Sequence, residues 1–212
     1  MYESLENFPL RKINFVKTRT TILKAVSHLL KEKNFADITV DEICQRAQIS
    51  RGTFFNYFST KEHVFHYYLR IFTVRIALRI KQWDDSMKFE AKIKQLYDWF
   101  NESTEYSRFV DSYISFLLNV GEPHNEMKLT DAEFVYFFTG IEETEYEYYN
   151  ELTLQSLFEK ICQTAKKENE LSLNMTEHEL GNLLSGVLVA SYVTNHLEQN
   201  INHLEIFNKI WK

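Results

Sequence analysis

The chain predicts an all-α fold, and three observations carry that prediction. Only 5 glycines and 2 prolines punctuate 212 residues, so few turns are signalled and long helices with short links are favoured over sheets. Apolar residues recur at helical spacing along most of the length. Hydroxyl residues stand just ahead of the periodic runs, where they can cap helix starts. A hydrophobic content of 44% and an aromatic content of 15% exclude a disordered composition. The length suffices to bury a sizeable core.

The first helix is predicted from Lys17, in KTRTTILKAVSHLLKEKNF. Ile22, Val26, Leu29 and Leu30 keep helical spacing, Thr18 or Thr20 can cap the start, and the pattern stops at Asn34. The second spans 40–47 in ITVDEICQRAQIS. There Thr39 and Glu42 form a capping box, and Ile43, Cys44 and Ala47 make a narrow inner face. So short a helix needs tertiary support. Ser50 caps a third helix in SRGTFFNYF, whose Phe54 and Phe58 are four apart and share one face as core anchors. Arg51, Thr53, Phe55, Asn56 and Tyr57 are left for the remaining surface, and Gly52 allows a large ligand's backbone to approach. A connecting helix over 60–82 follows, capped by Ser59 or Thr60, with Lys61 in its first turn.

Two short helices about three residues apart are the helix-turn-helix arrangement. A lysine at a helix N-terminus opposes the macrodipole, and a phosphate beside Lys61 would compensate both the cation and the free amides. Charge points the same way. Residues 1–70 carry 11 Lys and Arg against 7 Asp and Glu, whereas residues 71–212 carry 13 against 23. A basic first third on an acidic body suits an anionic partner. Short amphipathic helices with an arginine also serve as plain core elements, so that reading stays open on the residues alone.

Beyond residue 70 the periodicity predicts helices at 88–103, 106–118, about 130–141, 144–169, 176–198 and 201–211, with a loop at GEPHNE (121–126). Aromatics are dense, and most belong to the core. Some could line a ligand pocket, since such sites are largely apolar with a few polar groups; the candidates are Tyr106, Tyr113, Phe116, Phe137, Glu145, Tyr146 and Tyr149. The run EETEYEYYNE (142–151) reads either as an aromatic-acid box for a lipophilic cation or as a solvated acidic face. The phenylalanines over 109–138 would suit an acyl chain. In TEHELGNLLSGVLVASYVTNHLEQN, small residues lie among large apolar ones on a helix that needs cover on several sides. Leu183, Leu184, Gly186, Val187, Ala190 and Ser191 are its candidate packing residues.

Cys44 and Cys162 give no disulfide framework and fit buried thiols in a reducing compartment. The start MYESLENFPLRK lacks a signal-peptide layout, and the apolar stretch 183–193 is too short to span a bilayer. A cytoplasmic protein without membrane contact is expected. There is no Gly-rich phosphate loop, nucleophile elbow or metalloprotease motif. His63 and His66 lack further ligands placed by sequence. No enzyme, cofactor or metal is expected.

The segment TVDEICQRAQISRGTFFNYFSTKEHVF (39–65) resembles the N-terminal signature of the TetR family of bacterial transcriptional regulators. The likeness covers about 18–66. The resemblance implies that the third helix enters the major groove of double-stranded operator DNA. Arg51, Thr53 and Tyr57 would contact bases or sugar-phosphate, Ser50 and Gly52 would bring the backbone close, Thr39 and Lys61 would hold flanking phosphates, and Asn56 would face the DNA. It also implies a symmetric homodimer through the last two long helices, with Leu183, Leu184, Gly186, Val187, Ala190 and Ser191 at the interface, and an unidentified small-molecule inducer that releases a repressor. The corresponding division is a head over 1–66 and a helical ligand-binding and dimerisation domain over 67–212. Two positions depart from the pattern: Gln48 stands where glycine is usual, and Phe55 stands where tyrosine is common. A helical ligand-sequestering or protein-interaction module without DNA binding is the alternative reading.

Overall fold

A computed structural model of the chain describes residues 4–102, 127–171 and 174–196. All regular structure among the described residues is helical. In chain order the helices are α1 (Leu10–Leu29), α2 (Val40–Ala47), α3 (Arg51–Tyr57), α4 (Lys61–Lys81), α5 (Phe89–Glu102), α6 (Asp131–Phe137), α7 (Tyr146–Glu151), α8 (Leu154–Lys167) and α9 (Glu177–His196), with single 3-10 turns at Leu5–Asn7, Phe35–Asp37 and Glu143–Glu145. The chain divides into two compact units, Met1–Ile76 with Arg108–Glu151, and Ala77–Ser107 with Leu152–Lys212.

In the first unit α1 begins at Leu10, well ahead of the expected Lys17. Pro9 precedes it, and the Pro9 carbonyl accepts the amides of Lys12 and Ile13. The reason for the early start is tertiary. Phe8 and Val16 are buried with Ala132 of α6, and Leu5, Ile13 and Val135 pack against them. Helix α1 then buries Ile22, Ala25, Val26 and Leu29 and ends there, short of Asn34. Phe35 turns inward in the 3-10 turn that follows. An ion pair lies in this interior: Arg19 Nη1 of α1 donates to Glu133 Oε1 of α6 at 3.0 Å, with both side chains almost fully buried. The Arg19 guanidinium also stacks 3.9 Å from the Tyr67 ring of α4.

The expected helix at 130–141 is α6, which stops at Phe137; Gly140 beyond it has φ 78. The expected helix at 144–169 is two helices. Thr153 accepts the Ser156 amide at 3.0 Å and Ser156 Oγ accepts the Thr153 amide at 3.0 Å. That reciprocal cap starts α8 afresh. In the second unit α8 packs on α9. Gly181 allows the approach: a β-carbon there would meet Gln155 Nε2 and Glu159 Cγ at 2.9 Å and the Glu159 backbone nitrogen at 3.2 Å. Cys44 and Cys162 are both free and buried, and burial pushes the Cys162 thiol up to about 12. The expected helices at 106–118 and 201–211 and the GEPHNE loop lie outside the described residues.

Candidate nucleic-acid interface

Helix α2 starts at its predicted capping box. Thr39 Oγ1 accepts the Glu42 amide at 3.3 Å, and Glu42 Oε2 accepts the Thr39 amide at 2.9 Å. Hydrogen bonds from the Lys33 ammonium and from Thr39 hold the Glu42 carboxyl down to about 2. The helix ends on Gln48 at φ 56, ψ 44, the left-handed conformation. The Ile49 amide reaches back to the Cys44 carbonyl at 3.0 Å, the closing bond of a Schellman-type end. That end sets the turn into α3. Ser50 Oγ then accepts the Thr53 amide at 3.0 Å.

Phe54 and Phe58 are buried as anchors, their rings 6.1 Å apart, and Phe58 lies 5.7 Å from Tyr67 of α4. Helix α3 therefore cannot rotate without exposing two rings. Arg51, Gly52, Phe55 and Asn56 are left exposed, with Thr53 and Tyr57 half-buried on the flank. A β-carbon on Gly52 would meet only Ser50 Oγ, at 3.8 Å, so the backbone there is open to approach.

Several of these side chains have partners within the chain. Arg51 Nη1 donates to both oxygens of Asp41 at 2.7 and 2.8 Å, an exposed pair of little worth in water that a better acceptor can displace. The Ser50 and Thr53 hydroxyls are 2.9 Å apart, and the Thr39 hydroxyl donates to Glu42 Oε2 at 2.8 Å. The Tyr57 ring lies 5.2 Å from Phe15 of α1. Lys61 Nζ donates to three carbonyls, of Phe35, Ala36 and Ile38, at 3.0, 2.9 and 2.8 Å. Those carbonyls compensate the cation at the start of α4 and tie it to the link between α1 and α2. Spacing alone could not reveal this, because the acceptors are backbone atoms some 25 positions away.

The other expected sites are partly described. Tyr106, Tyr113 and Phe116 lie outside the described residues. The Tyr146 ring stacks on Phe134 at 4.3 Å, Phe137 lies edge-on to Tyr67 at 6.2 Å, and Tyr149 is buried with its carbonyl accepting from Arg70. Glu145 accepts the Glu142 amide at 3.2 Å. Buried Arg70, which also donates to the Met127 carbonyl, had no signal in sequence beyond its place on an apolar helix. Lys128 pairs with Glu147 and Glu151 at 2.8 and 2.7 Å, which favours the solvated acidic face for that run. On α9, Leu184 and Ser191 are buried within their own chain, and Ser191 Oγ donates to the Leu188 carbonyl. Leu183 and Val187 are half-buried, and Gly186 and Ala190 are exposed. Among the described residues no group of three or more His, Cys, Asp or Glu could hold a metal ion, and no helix is long and apolar enough to cross a membrane.

Among the described residues all regular structure is helical, and the short α3 after a tight turn from α2 is the helix-turn-helix arrangement. Residues 22–68 match the family model described as bacterial regulatory proteins, tetR family. That match covers the end of α1, all of α2 and α3, and the start of α4. Solved structures extend the likeness in fold over most of its length. GusR of Salmonella enterica superposes with a TM-score of 0.60 at 13% identity, over 92% of this chain and 93% of that one. A putative transcriptional regulator of the TetR/AcrR family gives 0.57 at 14%, over 92% and 99%. NalD of Pseudomonas aeruginosa, the secondary repressor of the MexAB-OprM multidrug efflux pump, gives 0.52 at 16%, over 88% and 89%. No curated protein matches the chain.

Proposed function

We propose that the protein is a homodimeric repressor that binds a palindromic operator and is released by a small molecule. The observation that carries this is α3: a helix pinned by Phe54 and Phe58 and exposing Arg51, Gly52 and Asn56 directly after a capped two-turn helix. Thr39, Ser50, Thr53, Tyr57 and Lys61 complete the proposed contact set. We keep the functional division into a head over 1–66 and a body over 67–212. The half-exposed stripe of Leu183, Gly186, Val187 and Ala190 supports a second copy of the chain as its cover, and Leu184 and Ser191 would sit behind that surface. A two-fold dimer matches half-sites about 34–36 Å apart or multiples of that spacing. An inducer that favours the wrong spacing would be weakened by operator DNA through the same factor by which it weakens the operator.

The test is selection of duplexes from a random pool, followed by gel-shift titration over a range of salt. Arg51→Ala should relax sequence preference, because a good bidentate base contact is worth about 1–3 kcal/mol. Lys61→Ala removes a cation beside the proposed phosphate path together with the tie to the Phe35, Ala36 and Ile38 carbonyls, and should weaken binding evenly across sequences and lower the salt slope by about 1. An unchanged affinity and slope would remove Lys61 from the contact set. Absence of any salt-dependent duplex binding would leave the ligand-sequestering or interaction module as the reading.

A further inference from the structure

The exposed face of α3 holds one residue that the polar contacts do not use. Phe55 is 46% exposed, on a seven-residue helix whose other two phenylalanines are anchors. Its ring stands edge-on to buried Phe54, with centroids 5.4 Å apart and planes at 90°, so it is held out rather than left to fold back. The Arg51 guanidinium lies 6.0 Å from its centroid, one turn before it, and Gly52 beside it adds no side chain. Asn56, the next residue, is also exposed. A phenyl ring presented with an arginine and an asparagine on a groove-reading helix meets base edges. It can neither donate nor accept a hydrogen bond there. Opposite guanine, cytosine or adenine it would strip water from polar edges and return nothing. The one apolar group in the major groove of unmodified DNA is the thymine 5-methyl.

We propose that Phe55 is a specificity-determining residue that reads the 5-methyl group of a thymine in each half-site; this rests on the DNA-binding reading above. The hydroxyl that a tyrosine would place at this position is absent, and the ring's selectivity comes from burial of the methyl. Arg51 and Asn56 supply polar contacts on either side of it.

Duplexes selected from a random pool are resynthesised with deoxyuridine in place of thymidine, one position at a time, which removes only the methyl. The native protein should bind about fourfold more weakly per half-site at one position, the worth of one buried methyl, and be indifferent at the others. Phe55→Ala should bind the thymidine and deoxyuridine duplexes equally, with thermal unfolding used to check that it remains folded after losing the edge contact with Phe54. Phe55→Leu, which keeps an apolar side chain, should retain part of the preference. A native protein that binds the selected duplex but is indifferent to deoxyuridine at every position overturns the role of Phe55 and leaves DNA binding intact. A preference that persists in Phe55→Ala also overturns it. A protein that binds no duplex overturns both.

Discussion

Gln48 holds φ 56, ψ 44 because α2 must end in a left-handed residue to aim α3. A residue with a β-carbon pays about 1–2 kcal/mol for that conformation. Gln48→Gly should therefore raise stability by up to about 1 kcal/mol, after the added freedom of the unfolded chain is deducted, as read by urea denaturation. A loss of stability would mean that the glutamine side chain makes a compensating contact. Phe54, Phe58 and the Thr39–Glu42 box are legible in the sequence because their partners sit three or four positions away. The pairings of Arg51 with Asp41 and of Lys61 with three carbonyls are not, since they join residues that only the fold brings together.

At the scale of elements, local chemistry overrules periodicity at helix boundaries. The apolar pattern runs through 144–169, yet Thr153 and Ser156 restart the helix. The α2 box has a pH dependence of definite sign. The Glu42 carboxyl lies at about 2 in the folded chain, below its ordinary value, so its contribution is present above about pH 4.5 and is lost as pH falls towards 2. The stability gap between the native protein and Glu42→Gln should be constant near neutrality and close across that acid window. A gap that stays constant down to pH 3 would count against it. The two glycines of α9 separate packing within the chain from packing between chains. Gly181→Ala should cost about 1–3 kcal/mol through overpacking against Glu159. A β-carbon on Gly186 meets nothing within 4 Å, so Gly186→Leu should leave the chain folded and shift light scattering towards monomer. A fully dimeric Gly186→Leu protein would place the interface elsewhere.

Across the whole molecule, the interior of the first unit is joined by residues far apart in the chain. Arg19 and Glu133 are separated by 114 positions, and their burial makes each depend on the other. Arg19→Met alone should cost about 3–5 kcal/mol by leaving Glu133 as an unpaired buried charge. Adding Glu133→Gln should recover much of that loss, since the neutral amide removes the unpaired charge and can still accept from Thr130 at the start of α6. Chemical denaturation of the two single variants and the double variant measures the coupling, and additive losses would show that the pair is not energetically joined. The charge asymmetry is also a property of the whole chain. Its basic first third lies in the segment that carries the helix-turn-helix, and steering of an anionic duplex should weaken steeply with salt.

What the sequence determined by itself is whatever a few neighbouring residues can specify. The all-α class follows from scarce turn residues and a 3.6-residue period. The two short head helices follow from Thr39, Glu42 and Ser50, and the anchoring of α3 from the spacing of Phe54 and Phe58. What only the tertiary structure decided is whatever depends on a distant partner. Helix α1 starts at Leu10 because Ala132 and Val135 of α6 cover Phe8 and Val16. Lys61 is a tie because Phe35 and Ala36 of the 3-10 turn, and Ile38 just after it, offer their carbonyls. On α9 the mixture of small and large apolar residues offers several faces for packing, and the structure buries Leu184 within its own unit while Gly186 is exposed. Spacing fixes which side chains share a face. Which face is covered depends on burial free energy summed over elements that the sequence order leaves far apart.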